Sequence, residues 1–600
     1  MAPGGYFGRV LIADVRGRHA DAVTMPVPDH VLRAYLGGVG LGTWLMHHLA
    51  PAGVDPLAPE APLAFVFSPL VGTPLTTSAK FAVVAKSPLT GLLTDALASS
   101  QFAIAGKLTG HEAIVVRGRA EALSVLLIDA DGVRLEDAAE LAGLSAAEAE
   151  VALRERFGRT WRTAAIGPAG ERGVRYATLS HDGRHAGRGG LGAVLGAKNI
   201  KAVLVRAGGR AAVADPETVL AAARDLRERS FGPATAKYRE LGTLGNLLAF
   251  NAVATLPTRN FTASTFAEAP RLAAEELHEM RAVARNSCAS CSIGCEHIYA
   301  RSDGGQQRME YENVFALGPL CGVSDPDDVF AASARADELG LDTISAGGTI
   351  AWAMECVERG LLDEPWLRFG DGSAVLRALD AIGSREAGLG EMLAQGSRHA
   401  AATLGGGSAD FAPHVKGLEM PGYEPRTMQA MALGLAVNAR GADHNRSGAY
   451  EADLSGELDR LAGGPAHVAA AIGTEDRAAV MDSMILCKFL RGVFTDHFTE
   501  WSSLLRPVTG WDIDATELAA VARRIVTAKR AFNLREGATA ADDTLPTRLL
   551  ETPLPMGSGR TASLTRDTLR GMVEDYYAAR GWDNTGHPSQ AQTADLLLNV

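Results

Sequence analysis

Three cysteines crowd into eight residues of a 600-residue chain that holds only six. Cys288, Cys291 and Cys295 stand in NSCASCSIGCEH, a C-x2-C-x3-C arrangement. Thiolates are soft ligands that suit iron–sulfur clusters or zinc. A cubane cluster takes four ligands, so the trio calls for a distant fourth. A closed zinc site more often shows two paired knuckles. Cys321, Cys356 and Cys487 are available for the missing position. Cys321 and Cys356 read as small buried hydrophobes. Cys487 falls in AVMDSMILCKFL, an apolar, helix-like run that a polar ligand would interrupt for a reason. Spacing alone favours iron–sulfur first, then zinc, then no metal.

The composition sets the frame around that cluster. With 47% hydrophobic and 21% charged residues the chain is globular, and it is long enough for several domains. Six cysteines are too few for a disulfide scaffold. A formal net charge of -12 argues against a nucleic-acid surface, which needs clustered Lys and Arg. The opening MAPGGYFGRVLIADVRGR lacks the apolar core of a signal peptide, and no uninterrupted apolar run reaches membrane-spanning length. The expectation is a cytoplasmic protein without a membrane span.

The elements that must position the cysteines change character along the chain. Residues 1–207 alternate short Val- and Ile-rich runs with turns: GRVLIADV, PLAFVFSPL, FAVVAKSP, EAIVVRGR, SVLLIDADG, RTAAIGP and IKAVLVRA. One clear helix interrupts them, after Ser145 and up to Gly158. From about residue 208 Ala, Leu, Glu and Arg take over with helical spacing. In DPDDVFAASARADELG, Asp325 can cap, Pro326 suits the first helical position and Gly340 closes the helix. A loop-rich stretch near 403–427 marks an inner boundary. The expected fold is α+β, with a β-rich amino-terminal domain (1–207) followed by two mainly helical domains (208–415 and 416–600), and any cofactor at their interface.

At this point an ordered series of segments resembles the aldehyde ferredoxin oxidoreductases, tungsten or molybdenum bis-pterin enzymes. KSPLTG at 86–91, IGPAGE at 166–171 and GRGGLGAVLGAKNIKA at 187–202 carry it in the β-rich part. CASCSIGC, MEYENVFALGPLCGV and DELGLDTISAGGT follow, then PGYEPR at 421–426, NARGADH at 438–444, MDSMILC at 481–487 and DDTLPTR at 542–548. The resemblance runs from about Phe7 to Trp582. It implies a [4Fe–4S] cluster on Cys288, Cys291, Cys295 and Cys487, beside tungsten or molybdenum held by two pterins whose phosphates are bridged by magnesium. It assigns pterin contacts to Asp337 and Asp342 in DELGLD, to Asp482 and Leu486 in DSMILC, and to Arg446. Buried carboxylates can accept from the several N–H groups of a pterin. Arg184, Ala186, Gly187 and Arg188 open the glycine-rich stretch, where backbone N–H groups and guanidinium forks suit phosphates. That stretch lacks the strand context and acidic partner of a dinucleotide fingerprint, which excludes a Rossmann site. Glu312 and His444 match the family's acid–base pair, and Tyr311 would orient the substrate.

The chain departs from the family in four places. Lys80 stands where an Arg usually bridges pterin and cluster, keeping the charge but losing the planar fork. Leu97, Ala98, Ser99 and Ser100 replace a glycine-bearing segment. The carbonyl at Leu97 can still reach magnesium, but without the glycines the backbone near Ser99 would approach a cofactor less closely. Asp443 precedes His444 and would favour a protonated imidazole. Ala331 and Arg377 occupy positions that bind an intersubunit metal in some members, and neither is a plausible ligand.

The resemblance implies oxidation of an aldehyde to a carboxylic acid, with electrons leaving to ferredoxin or a small iron–sulfur subunit. It also implies a homodimer or a place in a larger complex. Two alternatives stay open: a reductive enzyme resembling the catalytic subunit of class II benzoyl-coenzyme A reductase, and a cluster-bearing scaffold that has lost its pterin.

Overall fold

The computed structural model describes residues 2–557 and 559–598. The seven Val- and Ile-rich runs all become strands, joined by five more, in two six-stranded sheets. β1 (Arg9–Asp14), β2 (Asp21–Pro26), β3 (Leu63–Val66), β4 (Lys80–Lys86), β5 (Leu93–Ser99) and β6 (Ala113–Arg117) pair in the order β2-β1-β6-β3-β4-β5. β1 and β6 run parallel, with Val10 opposite Ala113, and the other pairs are antiparallel. β7 (Ser124–Asp129), β8 (Gly132–Asp137), β9 (Arg162–Ile166), β10 (Leu179–His181), β11 (Arg184–Ala186) and β12 (Ile200–Val205) form the second sheet, ordered β11-β10-β9-β12-β7-β8. One apolar layer joins the sheets: Phe65, Phe81, Val83 and Phe102 meet Leu126, Ile128, Ile166 and Val203. β3 and most of β6 are buried on both faces, which is why these strands read as continuous apolar runs without alternation.

The β-rich region holds more helix than its sequence suggests. Ala146–Phe157 follows Ser145 as expected, with a capping box in which Ser145 and Glu148 satisfy each other's backbone N–H. The longest unexpected helix is Gly38–Leu49, apolar on every side and buried from Gly38 to Met46, so it shows no amphipathic stripe. It fills the space between β4 and the helix Pro465–Met484. Gly38 lies at φ +42°, and a Cβ there would stand 2.4 Å from the Asp482 carbonyl oxygen. Gly40 N–H donates to Ser483 Oγ at 3.0 Å. The β-rich region is thereby fastened to the segment that carries Asp482.

Beyond β12 the chain is mainly helical. Pro326–Leu339 has Asp325 as its cap and Gly340 in the left-handed region at its end, as its sequence predicts. The buried helices Tyr311–Leu317, Thr343–Glu358 and Gln429–Val437 form the centre. A small antiparallel sheet interrupts the helical texture around the cysteine motif: β13 (Ala282–Asn286), β14 (Glu296–Ala300) and β15 (Gln306–Arg308). Its sequence carries many charges and no clean alternation, which hid it. The fold is α+β, with a β-rich amino-terminal region and a helical remainder. Among the described residues no helix is long and apolar enough to cross a membrane.

Candidate functional site

The two regions meet around a cavity of about 430 Å³. The β-rich side supplies Lys80 at the start of β4, Leu97 and Ser99 at the end of β5, and Arg184, Gly187 and Arg188 in and after β11. The helical side supplies Cys288, Tyr311, Glu312, His444, Arg446, Asp482, Leu486 and Cys487. Residues scattered over about 400 positions of sequence thus share one wall.

The cysteine set is assembled by Thr76 and Thr77, which the sequence does not flag. Thr77 N–H donates to the Ser290 carbonyl at 2.7 Å, and Thr77 Oγ1 accepts from the Cys487 N–H at 3.2 Å. Thr76 Oγ1 accepts from the Ser292 N–H at 3.0 Å. One dipeptide thereby clamps both cysteine segments. Burial, then the nearby Cys487, push the Cys291 thiol up to about 11, and Cys295 is raised for the same two reasons. Mutual repulsion of that kind marks thiols close enough to share a cationic centre. Cys321 is elsewhere: its thiol lies 3.4 Å from the Ala316 carbonyl and 3.6 Å from that of Gly347, inside the core. Cys356 is also a core residue. The helix Pro465–Met484 ends before Cys487, with Ile485 in the left-handed region, so Cys487 sits on a loop and not in the helical run its sequence suggests. Among the described residues no three His, Cys, Asp or Glu side chains converge on a single-ion position. A tetrahedral zinc draws its sulfurs to about 4 Å from one another, given Zn–S bonds of about 2.3 Å. The cysteines lie near enough to act on one another's ionisation without three of them meeting at one ion position among the described residues.

Lys80 faces this set from the cavity wall. Burial works against its charge, but the four thiols outweigh it and raise its pKa. Ser100, in the altered segment, caps the helix Gln101–Lys107 through a 2.9 Å bond from Phe102 N–H. Leu97 and Ser99 pair in register with Ala82 and Lys80 on β4.

The other expected contacts divide in two. Asp482 lines the cavity, with Lys488 Nζ 2.8 Å and Arg446 Nη1 3.3 Å from its oxygens. Arg446 is itself held by Asp95, a buried carboxylate on β5 that Lys529 also contacts at 3.0 Å. Asp342 stands one layer back: it caps Thr343–Glu358 and meets Arg188 Nε at 3.3 Å. Arg188 reaches the cavity, yet its N–H groups go to Asp342, the Ala442 carbonyl and the Glu419 carbonyl. Arg184 pairs with Glu296. Asp337 and Ala186 do not line the cavity; Asp337 faces His185 at 3.2 Å and Gln307 at 2.8 Å. Ala331 lies in Pro326–Leu339, and Arg377 lies 4.0 Å over the Trp366 ring.

Glu312 and His444 converge. Glu312 Oε1 lies 3.6 Å from His444 Nδ1, too long for a hydrogen bond, and neither atom has another partner among the described residues. Glu312 Oε2 accepts from the Gly422 N–H at 3.1 Å, and the Tyr311 hydroxyl donates to the Gly422 carbonyl. A single oxygen about 2.8 Å from both free atoms would complete the triangle. Burial lifts the Glu312 carboxyl to about 8 despite the Gly422 N–H. The expectation for His444 is corrected: burial lowers its imidazole to about 3, and Asp443 only partly opposes this. Asp443 is already engaged, capping His444–Ser447 through the Asn445 and Arg446 N–H groups and lying 3.2 Å from Arg440.

Several lining residues are not among the sequence candidates: Lys488, Arg440, Tyr423, Tyr450, Tyr238 and Phe489. Tyr423 and Arg440 stand inside PGYEPR and NARGADH, so those motifs carried a signal. The aromatic members stack, Tyr238 on Phe489 at 4.0 Å and Tyr423 on His444 at 5.1 Å. Among the described residues the site also holds buried polar atoms without hydrogen-bond partners, Arg440 Nε and Arg308 Nε, while Asp482 and Lys488 rely on their ion pair. Such orphans are rare in folded proteins and signal a ligand. Acceptors beside cations are what a pterin with N–H donors and a phosphate requires, so the donor set fits that group.

Comparison with known proteins agrees in extent. Residues 12–207 match the family described as "Aldehyde ferredoxin oxidoreductase, N-terminal domain", and residues 220–598 match "Aldehyde ferredoxin oxidoreductase, domains 2 & 3". The chain is 34% identical to the tungsten-containing aldehyde ferredoxin oxidoreductase of Pyrococcus abyssi, covering 99% of each. It is 28% identical to the WOR-like subunit of an aliphatic sulfonate oxidoreductase from Pyrococcus furiosus, over 98% of this chain and 97% of that one. The solved active-site complex of benzoyl-coenzyme A reductase with 1,5-dienoyl-CoA shares the fold: TM-score 0.84 at 23% identity, over 99% of this chain and 97% of that one.

Proposed function

The chain belongs to the aldehyde ferredoxin oxidoreductase family and is an oxidoreductase, and on that premise we propose that it oxidises an aldehyde to a carboxylate and passes the electrons to ferredoxin. The observation that carries this reading is the meeting, at one cavity, of the Glu312–His444 pair with the cysteine set. When bound, a tungsten or molybdenum bis-pterin centre supplies the two-electron acceptor, and a [4Fe–4S] cluster on Cys288, Cys291, Cys295 and Cys487 the one-electron outlet.

This chain's residues do the rest. The reaction is aldehyde plus water to carboxylate, two electrons and three protons, so protons must leave the reacting centre. Glu312 Oε1 accepts one from the attacking oxygen, and the neutral His444 ring orients that oxygen through Nδ1. Tyr311 fixes the Gly422 backbone, whose N–H aims the carboxylate. Asp482 accepts from pterin N–H groups, while Lys488, Arg440 and Lys80 balance anionic charge. The rings of Tyr238, Phe489, Tyr423 and Tyr450 exclude water and suit a flat, apolar substituent on the carbonyl.

Elemental analysis and a dye-linked assay test the proposal together. Tungsten or molybdenum with about four irons per chain, the content of one cubane, and benzaldehyde-dependent reduction of benzyl viologen are expected. Zinc without iron, or a loaded enzyme inert toward benzaldehyde and acetaldehyde alike, would sink it.

The ion pairs lining the cavity also indicate which carboxylate matters for loading. Losing one partner of a buried charged pair costs about 2–5 kcal/mol, and Asp482→Ala strands Lys488 and leaves Arg446 with Asp95 alone. Its tungsten-to-iron ratio should fall well below that of the parent. Asp337→Ala, one layer out behind His185, should lower it less. Equal, full occupancy in both variants would count against these roles.

A further inference from the structure

Electrons leaving the cysteine set need a surface where a second protein can come close. Ser292, the neighbour of Cys291, forms part of a surface depression of about 440 Å³ whose other walls are Arg224, Arg227, Glu228 and Phe231. Ser292 is fixed there, its hydroxyl 2.8 Å from Ser230 Oγ and 2.9 Å from Thr76 Oγ1. The depression therefore lies one residue from a cysteine of the set.

Its wall is the outer face of the helix Pro216–Ser230, which buries Val219, Ala223 and Leu226 against the protein. On the adjoining face Leu220 and Phe231 stay 48% and 54% exposed, apolar surface that the fold does not use. The Arg239 guanidinium lies 4.6 Å over the Phe231 ring, and Arg285 Nη1 donates to the Arg239 carbonyl at 3.1 Å. Arg285 is on β13, the edge strand that leads into Cys288. Arginines therefore rim the depression from the helix to the cysteine loop. Arg229 is engaged with Asp225 and Glu500, whereas Arg224 and Arg227 form no ion pair among the described residues. Among the described residues Glu228 is the one carboxylate lining the depression. This cationic rim stands on a chain of net charge -12.

We propose that this face is the docking site for a small acidic iron–sulfur protein of ferredoxin type, with Phe231 as the apolar anchor and Arg224, Arg227, Arg239 and Arg285 as the steering rim. The proposal rests on the oxidoreductase reading with a cluster at the four cysteines. An apolar anchor ringed by unpaired charge is the arrangement that gives both affinity and a fast, salt-dependent encounter. No bond forms or breaks at this surface. Each aldehyde oxidised yields two electrons, which leave singly and reduce two oxidised ferredoxin clusters by one electron each.

The test is direct binding of an acidic two-[4Fe–4S] ferredoxin to the holoprotein by titration calorimetry at low and high salt. For the parent, binding at low salt that weakens as salt rises is expected. The double variant R224E/R227E should raise Kd about tenfold or more at low salt and flatten the salt dependence. Phe231→Ala should weaken binding at every salt concentration, R224K/R227K should retain it, and the charge control Arg570→Glu should leave it unchanged. Benzyl viologen-linked aldehyde turnover should be the parent's in all of them. Parent-like ferredoxin binding in both R224E/R227E and Phe231→Ala, or no binding by the parent, overturns the proposal. Arginine-dependent binding in a protein inert toward aldehydes would instead overturn the substrate assignment and leave the docking site standing.

Discussion

Glu312→Gln is expected to lower aldehyde turnover by about 10²–10⁴-fold, the range for loss of a general base, with cofactor content close to the parent's. The substitution keeps size and the acceptor oxygen that meets the Gly422 N–H. It removes only the ability to take a proton at Oε1, the atom facing His444. The sign of the pH dependence follows from burial, which holds the Glu312 carboxyl at about 8. Only the carboxylate form accepts a proton, so parent turnover should climb with pH toward about 8 and then level. The Gln variant should lose that limb. The same shift has a cost in stability. Above the ordinary glutamate value of 4.5 the unfolded chain releases this proton while the folded chain keeps it up to about 8, so folding stability falls as pH rises through that window. Glu312→Gln removes the penalty, and its melting temperature near pH 8 should match or exceed the parent's. His444→Gln should also slow turnover, but without erasing a limb near neutral pH, because the buried ring stays neutral above about 3. If both variants load their cofactor and turn over benzaldehyde at the parent's rate, these side chains are structural and the acid–base assignment fails.

Cys487→Ala should abolish the intact [4Fe–4S] centre. Iron should drop below about four per chain, and the electron paramagnetic resonance of the reduced protein should lose the cubane signal. The reason is geometric: Thr77 holds the Cys487 backbone and the Ser290 carbonyl at once, so no other thiol can be drawn into that position. Cys321→Ala and Cys356→Ala, both core substitutions, should leave the spectrum unchanged. Thr77→Val keeps every thiol but removes the hydroxyl that accepts from the Cys487 N–H, and should make the cluster more labile to oxygen without changing its spectrum. An unaltered spectrum in Cys487→Ala would show that the trio takes its fourth ligand elsewhere.

The sequence by itself determined the family and with it the fold, because ten short segments in fixed order are far less degenerate than any one of them. It determined the central strands and the well-capped helices Ala146–Phe157 and Pro326–Leu339, whose signals are local: a serine with a glutamate three residues on, an aspartate before a proline, a glycine at the end. It also placed Cys288, Cys291 and Cys295 together, since they lie within eight residues of chain. Tertiary structure decided the rest, for reasons that never act between sequence neighbours. Gly38–Leu49 becomes a helix because both its flanks are buried, which erases the periodicity that would announce it. Cys487 reaches the trio through Thr77, 410 residues away. The ionisation of His444 depends on how deeply the fold buries the ring and on Asp443 being turned to cap a helix and pair with Arg440, whereas adjacency alone suggests the opposite sign. Proximity in sequence shows which charges are tethered together, but only packing fixes how much water each one loses. At His444 that loss of water outweighs the attraction of the neighbouring carboxylate.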